Sequence, residues 1–230
     1  QHPLLPLRIV LDRLRGGAYL SIGLSATGMF AVFIFLTYYL QDTLGFSPIR
    51  TGFAFLPMPI SIVTAATTAN IKLVPRIGPR TVMTTGLLTS TIGMTLLASL
   101  LSVDSSYVGT VMPLLVVMGI GMGLVFAPAM ASGTLGVDRN DAGVASAMIN
   151  TMQQVGGSIG TAALSSVFAT SVSRYVSDHG PQSVAAAQVH GYTVAFWCSA
   201  AVFATGAVVA FTVLPKGVPE GMAQGPPAMH

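Results

Sequence analysis

The sequence predicts an all-α membrane protein with six membrane-spanning helices, and three observations support this class. Only 7% of the 230 residues are Asp, Glu, Lys or Arg, whereas soluble domains carry about 25%. The mean hydropathy is +0.74. The charges also fall in clusters and leave six long uncharged intervals between them. A chain of this kind suits hydrocarbon better than water.

Each uncharged interval is long enough to cross a bilayer. A spanning helix needs about 20 predominantly apolar residues, because roughly 30 Å of hydrocarbon is covered at 1.5 Å per residue. The shortest interval, between Arg50 and Lys72, holds 21 residues, and the longest, between Asp178 and Lys216, holds 37. In chain order, the predicted spans are 17–41, 51–73, 81–102, 108–131, 143–172 and 191–214.

The spans read as helices rather than barrel strands. The first contains the unbroken apolar run "MFAVFIFL" and the fourth contains "MPLLVVMGIGMGL", and neither shows the alternation of a lipid-facing strand. The second and third are separated by the basic segment "KLVPRIGPR", 72–80. Several aromatic residues fall near predicted outer ends, where we expect them to lie in the headgroup region; they are Tyr38, Tyr39, Tyr107, Tyr192 and Trp197.

The cations predict the orientation. With six crossings, eight of the ten Lys and Arg residues fall on one side and only Arg50 and Arg174 on the other, which predicts that the first side is cytoplasmic. Both termini are then predicted to lie in the cytoplasm. The protein itself is predicted to lie in the inner or plasma membrane of the cell. The domain plan is a cytoplasmic interfacial segment (1–16), a six-helix domain (17–214) and a cytoplasmic tail (215–230). A short surface helix and an ordered linker both fit the first segment.

Two similar loop sequences suggest an inverted repeat. "TLGFSPIRTG" (43–52) follows the first span and "TLGVDRNDAG" (134–143) follows the fourth. The predicted topology puts these loops on opposite sides of the membrane, as in an inverted three-plus-three repeat. Repeats of this kind build transporters.

Small residues mark the fourth and fifth spans. "GIGMGLVFAP" carries Gly119, Gly121, Gly123 and Pro128, and "NTMQQVGGSIG" carries Gly156, Gly157 and Gly160. Small residues let helix backbones approach closely in lipid. Static packing and sliding contact during transport are both compatible with this pattern.

Four segments together carry a family resemblance: "YLQDTLGFSPIRTG", "RIGPR", "GIGMG" with "AP", and "AGVASAMINTMQQVGGSIG". With them the chain resembles the C-terminal half of a major facilitator superfamily transporter of the fourteen-helix drug:proton antiporter branch. The resemblance implies one six-helix half of the fold and a partner, the missing N-terminal half. It also implies bacterial multidrug or metabolite efflux by alternating access, driven by a proton gradient without a cofactor.

Two departures from the family pattern bear on mechanism. The family's cytoplasmic turn motif has an Asp before its Arg, where this chain has Pro75; Arg76, Gly78 and Arg80 remain and imply a turn at the cytoplasmic gate. None of the seven acidic residues falls inside a predicted span. The proton-carrying residue is therefore expected outside this segment, since coupling needs an ionisable group within the membrane.

Polar side chains in the spans are the candidate substrate contacts. At three- and four-residue spacing, Asn150, Gln153 or Gln154, Ser158 and Thr161 share one stripe of span five. Tyr38, Gln41 and Asn70 are further candidates, and Asp141 is expected to cap span five. Hydrogen bonding between helices is the alternative role for the stripe. The resemblance implies small amphipathic or cationic organic substrates. Twelve Met residues could give a cavity an adaptable lining for apolar ligands, and filling gaps between helices is their alternative role.

Other classes of protein find little support. The sequence shows no nucleotide loop, zinc spacing or Ser with a nearby base, so we predict neither an enzyme nor a metal site. The net charge of +3 follows from the cytoplasmic cations, and no basic, aromatic surface for nucleic acid is visible. A self-standing six-helix scaffold or homodimer without transport activity remains the alternative function.

Overall fold

The computed structural model describes residues 7–139, 141–220 and 222, and every regular element in those ranges is helical. The helices are α1 (Leu7–Val10), α2 (Arg13–Tyr38), α3 (Pro48–Phe55), α4 (Pro57–Thr68), α5 (Val74–Leu100), α6 (Met112–Thr134), α7 (Ala142–His179) and α8 (Val184–Val213). π-Helical turns cover Tyr39–Thr43, Ala69–Leu73 and Tyr107–Val111, and a 3-10 turn covers Pro181–Ser183. The predicted all-helical class is confirmed.

Within the described ranges, five helical runs are long and apolar enough to cross a membrane: Arg13–Thr43, Pro48–Leu100, Tyr107–Thr134, Ala142–His179 and Pro181–Val213. The second run holds 53 residues, which would make a straight helix of about 80 Å. Gly78 breaks it, with φ 78° and ψ 159°, and Pro79 follows. This conformation is essentially restricted to glycine. The spans predicted at 51–73 and 81–102 lie on either side of the break.

Helix α4 runs parallel to α6. A Cβ atom on Gly119 would lie 2.5 Å from the carbonyl oxygen of Met58, and one on Gly123 would lie 2.8 Å from the Cβ of Ala65. Residue numbers therefore increase in the same direction along both helices. The absence of side chains at these glycines lets the two backbones touch.

Helix α5 runs antiparallel to α6. A Cβ atom on Gly86 would lie 2.7 Å from the carbonyl oxygen of Gly121, and one on Gly93 would lie 2.9 Å from the Cγ of Met118. Since α4 is parallel and α5 antiparallel to the same helix, α4 and α5 point in opposite directions. The chain thus reverses at Gly78, and the 53-residue run contains two antiparallel segments.

The same arrangement recurs around α2. It runs parallel to α7, where Gly156 faces Gly23 and Gly160 faces Thr27. It also packs along α8, in the antiparallel direction. Helices α5 and α8 pack against each other, and α2 contacts α6. Two three-helix groupings, α2 with α7 and α8 and α6 with α4 and α5, therefore repeat one pattern.

An aromatic cluster fills the core at the end of the bundle opposite Gly78. Tyr39 and Tyr192 are 0% and 1% exposed, and their rings meet edge to face with centroids 6.3 Å apart. Tyr192 also stacks on Phe168 at 5.1 Å. Both rings are buried between helices and do not face lipid, and their position at headgroup depth stays a prediction. Tyr38 and Trp197 do lie on the surface.

The described parts of the chain ends lie beside the Gly78 turn or the α6–α7 loop. Helix α2 begins at Arg13, and the Asp12 side chain caps it by accepting a hydrogen bond of 3.0 Å from the backbone N–H of Arg15. Part of the predicted interfacial segment is thus the first turn of α2. The backbone at Gly217 passes directly over Gly78. Residues 1–6 and 223–230 of the predicted terminal segments lie outside the described residues.

Candidate functional site

Helices α4 and α7 form the least buried part of the bundle. Only six of the 38 residues of α7 are buried, and only Met58 and Ala65 among the 12 residues of α4. In α6, by contrast, twelve of 23 residues are buried. Large apolar side chains, including Phe53 and Ile159, point outward from this surface. We call the surface formed by α3, α4 and α7, with the part of α6 between them, the open face.

A cleft of about 440 Å³ lies in the open face between the Ala69–Leu73 turn and α7. Four polar residues line it: Asn70 in the turn, Thr134 at the end of α6, and Ser146 and Asn150 on α7. The rest of the lining is Ala127, Met130, Ala131 and Ile149. We call this the amide cleft.

A second cleft of about 220 Å³ lies farther along α7, between α7, α2 and α6. Its polar residues are Gln153 and Gln154, and its apolar lining is Ala26, Met29, Phe30 and Phe126. We call it the aromatic cleft. Gln154 is one helical turn beyond Asn150, a rise of about 6 Å. The two clefts are therefore neighbours along one helix.

The side-chain amides of the clefts are available to a ligand. In the described part of the chain, the neighbouring hydroxyls of Thr27 and Thr151 bond to backbone carbonyls, whereas no side-chain hydrogen bond involves Asn70, Asn150, Gln153 or Gln154. An amide without a partner in hydrocarbon costs several kcal/mol. This cost favours contact of the clefts with water or a polar solute over contact with lipid tails.

Neither cleft is lined by an ionisable side chain among the described residues. The groups that can recognise a ligand are amides, hydroxyls, thioethers and phenyl rings. Such groups form hydrogen bonds, apolar contacts and, through the ring faces, cation–π contacts.

The structure brings together only part of the predicted substrate site. Asn70, Asn150, Gln153 and Gln154 line the clefts. Ser158 and Thr161 lie farther along α7 and line neither cleft. Tyr38 and Gln41 lie near the far end of the first helical run and also line neither cleft.

The predicted packing residues lie where helices approach closely. Added Cβ atoms would meet α4 from Gly119 and Gly123, α5 from Gly121, and α2 from Gly156, Gly157 and Gly160. Most of these contacts are with backbone atoms, but Gly157 faces the ring of Phe30. Pro128 is buried within α6. Whether these contacts slide during transport stays a prediction.

The basic turn contacts the end of α8. Arg80 is half-buried, and its guanidinium carbon lies 4.2 Å from the centroid of the Phe211 ring. Arg76 is exposed. Gly78 has no room for a side chain, because the carbonyl of Gly217 occupies that space. The turn is thus packed under the start of the C-terminal tail.

Asp141 occupies the predicted N-cap position of α7, but its side chain does not make the capping hydrogen bond. The Asp141 backbone has φ −101° and ψ −5°, and its side chain accepts no hydrogen bond from the first turn. A nitrogen of the Arg8 guanidinium instead donates to Asp141 Oδ2 at 2.6 Å. The carboxylate therefore links the N-terminal segment to the loop between α6 and α7.

Sequence reasoning missed the apolar walls of the clefts. Phe30, Phe126, Met29 and Met130 contribute much of the lining. In a span surrounded by lipid, such residues cannot be distinguished by type from those that merely pack. No group of three or more metal-binding side chains occurs among the residues that the structure describes.

Antiparallel helices that are long and apolar enough to cross a bilayer, with polar, uncharged clefts between them, define a multi-pass membrane protein. The chain belongs to the Major Facilitator Superfamily, whose family model matches residues 18–228. Members of this family are transporters rather than enzymes. The predicted family and multi-pass membrane location are confirmed.

Several bacterial relatives are similar to this chain. A puromycin resistance protein of Streptomyces alboniger is 40% identical over 217 residues, 93% of this chain and 43% of the relative. A cephamycin export protein of Amycolatopsis lactamdurans is 32% identical, over 72% of this chain and 34% of the relative. For a lincomycin resistance protein of Streptomyces lincolnensis the identity is 33%, with the same two coverages. The chain spans less than half the length of these relatives.

Proposed function

We propose that the chain is the C-terminal half of a proton-coupled exporter of drugs or metabolites that works by alternating access. The observation that carries the proposal is a set of four side-chain amides in two clefts on the open face, none of which makes a side-chain hydrogen bond within the described part of the chain. Binding groups of this kind within a membrane bundle suit a solute on its way through the bilayer. Puromycin resistance, cephamycin export and lincomycin resistance, the functions of three relatives, agree with this activity.

The packing pattern supports six crossings arranged as an inverted repeat. Helix α2 is parallel to α7 and antiparallel to α8, as α6 is parallel to α4 and antiparallel to α5. The two loops that are similar in sequence also share a left-handed glycine, with φ 66° at Gly45 and 65° at Gly136. Both features are expected of two three-helix units related by a two-fold axis in the membrane plane.

The open face supports a missing half. Its apolar side chains need contact with other apolar groups, whereas its polar clefts need water or a polar solute. A second helical bundle that packs against the open face and encloses a cavity would provide both environments. All seven acidic residues lie in loops or near the ends of helical runs. The proton-carrying carboxylate of the proposed exporter is therefore assigned to the other half. The excess of cations at the end that carries Gly78 favours a cytoplasmic location for both termini.

Transport by inverted membrane vesicles tests the proposal. The chain is expressed alone and joined to its upstream coding sequence, and uptake of a fluorescent aromatic dye is followed under an imposed proton gradient. We expect uptake only with the joined protein, and we expect a protonophore to abolish it.

Two results would count against the proposal. Uptake by the joined protein that survives the protonophore would remove proton coupling. Uptake by the chain alone would show that a second copy, rather than a different half, covers the open face. Crosslinking of the chain to itself in the membrane, without any uptake, would instead support the scaffold or homodimer.

A further inference from the structure

From the two clefts we infer a recognition surface for uncharged ligands, in which an aromatic ring enters the aromatic cleft and a nonionic hydrogen-bonding group enters the amide cleft. The ligand class is an aromatic compound that carries an amide, ester or hydroxyl about one helical turn from its ring. The inference rests on the proposed function and specifies what this half of the transporter recognises.

The size and walls of the aromatic cleft suit one ring system. A cavity of about 150 Å³ lined by apolar side chains holds benzene in a well-studied protein, and this cleft has about 220 Å³. Phe30 and Phe126 provide ring faces for offset or edge contacts, and Met29 provides a thioether. The polar atoms of the cleft belong to Gln153 and Gln154, both on the α7 side.

Gly157 positions the wall of the aromatic cleft. A Cβ atom on Gly157 would lie 2.7 Å from one ring carbon of Phe30 and 2.9 Å from two others. The ring of Phe30 therefore lies against the bare backbone of α7, and it leaves the cleft open on its other side. An alanine at this position would push the ring toward the ligand.

The amide cleft provides hydrogen bonds in two directions. Asn70 and Asn150 each carry a donor and an acceptor group, and they line the cleft from different helices. Ser146 adds a hydroxyl beside Asn150. A ligand amide or hydroxyl placed between these walls could both accept and donate, and an ester could accept.

The absence of charge in both linings determines the ligand class. A cation in a membrane cavity is stabilised by a carboxylate, and none lines either cleft in the described part of the chain. A cationic group on a ligand would gain only cation–π contact with Phe30 and Phe126 and dipole contact with the amide oxygens, without a carboxylate to neutralise its charge. We therefore place any strong preference of the complete transporter for cations outside these two clefts; the predicted class of amphipathic or cationic substrates stays a prediction.

Two probes that differ only in charge test the inference. One is a coumarin carboxamide, and the other is the same molecule with a quaternary ammonium group on a distal linker. Binding to the purified joined protein is measured by fluorescence, and uptake is measured in vesicles. The variants are Asn150→Leu and Gln154→Leu, with Thr151→Val as the matched control, because Thr151 lies between them on α7 and lines neither cleft.

We expect each Leu variant to weaken binding of both probes by about tenfold, the value of one good hydrogen bond to a neutral group. The ratio between the neutral and cationic probes should stay within twofold of its original value, and Thr151→Val should change neither probe. Gln154→Glu should then favour the cationic probe by at least tenfold. Gly157→Ala should weaken binding of the carboxamide more than binding of an aliphatic amide without a ring.

The inference is overturned if a Leu variant loses only the cationic probe, or if Thr151→Val lowers binding as much as the Leu variants do. Recovery of correctly folded protein by fluorescence-detected size exclusion excludes misfolding as the cause of a loss. If the original joined protein binds both probes with these dependences but moves neither, the proposed transport fails while the inference stands. If it moves both probes but Gln154→Glu gives no preference for the cation, the inference fails alone.

Discussion

Replacing Gly156 with Ala tests how strongly backbone contact holds α7 to α2. The new Cβ atom would overlap the carbonyl oxygen of Gly23 and would lie 2.9 Å from its carbonyl carbon. Ordinary carbon–carbon contacts are about 3.5–4.0 Å, so the helices must separate locally by roughly 0.6–1 Å. The hydrogen bond from Thr27 Oγ1 to the Gly156 carbonyl, 3.0 Å long, would stretch with them.

The expected cost follows from that separation. A radial gap of 0.5–1 Å forfeits about a quarter to a half of each dispersion contact, and overpacking of a rigid site typically costs about 1–3 kcal/mol. Because the obstacle is backbone, we take the upper end, about 3 kcal/mol. Ala has a higher helix propensity than Gly, which offsets about 1 kcal/mol of this cost. The net loss is about 2 kcal/mol in the free energy of unfolding, a Tm lower by roughly 4–8 °C.

Thermal unfolding in detergent measures this change. A thiol-reactive dye reports exposure of Cys198, the single cysteine, which is half-buried in α8. The matched control is Gly143→Ala in the first turn of the same helix, where an added Cβ meets nothing within 4 Å. The control should leave Tm unchanged or raise it slightly. Equal Tm values for the two variants would refute the argument from backbone contact.

Three further predictions concern single contacts. Tyr19→Phe removes the buried hydrogen bond from the hydroxyl to the Gly133 carbonyl, 2.8 Å long, and should lower the unfolding free energy by about 1 kcal/mol in the same assay. Arg8→Ala combined with Asp141→Asn should reveal a coupling below about 1 kcal/mol in a double-mutant cycle, because the arginine side chain is 71% exposed and water screens the pair. Gly78→Ala should cost about 1–3 kcal/mol in backbone strain and displace the C-terminal tail, which limited trypsin digestion would detect.

Each of these predictions has its own control. Tyr38→Phe should leave Tm unchanged, since that side chain is 51% exposed, and an equal loss would contradict the role of the buried hydrogen bond. High salt should abolish the ion-pair coupling, and a coupling that persists would mean that the pair is shielded from solvent. Gly136→Ala is the control for Gly78→Ala. Gly136 also has a positive φ, but a Cβ atom added there would have no other atom within 4 Å. This control should leave cleavage after Lys216 unchanged, while Gly78→Ala should accelerate it.

The helices could be predicted from sequence because the bilayer imposes a minimum length on every charge-free interval. Their ends could not, because a helix can continue into water where charge is tolerated. Helix α7 extends to His179 past Arg174 and Asp178, although the predicted span stops at residue 172. The break at Gly78 was signalled by the glycine and proline of "RIGPR" between two apolar stretches.

The candidate site was only partly predictable. Spacing along α7 placed Asn150 and Gln154 on one stripe, but it could not show that Ser158 lies beyond the clefts. That limit is set by α2 and α6, which are distant in sequence. The role of Phe30 was invisible for the same reason, since its ring is positioned by Gly157, 127 residues away. Asp141 was assigned to a cap because its partner, Arg8, lies on a separate segment.

Different sides of α7 line the clefts and pack against α2, and this separation has an evolutionary consequence. Asn150 and Gln154 face the clefts, while Gly156 and Gly160, each six residues farther on, face α2 and point about 120° away at 100° per residue. Selection on ligand preference can therefore act on one side of the helix while the other side stays restricted to glycine. In a population of variants selected for export of a new compound, accepted substitutions should accumulate at the cleft positions and be absent from the glycines. A single helix of this kind allows a transporter lineage to change its substrates without rebuilding its scaffold.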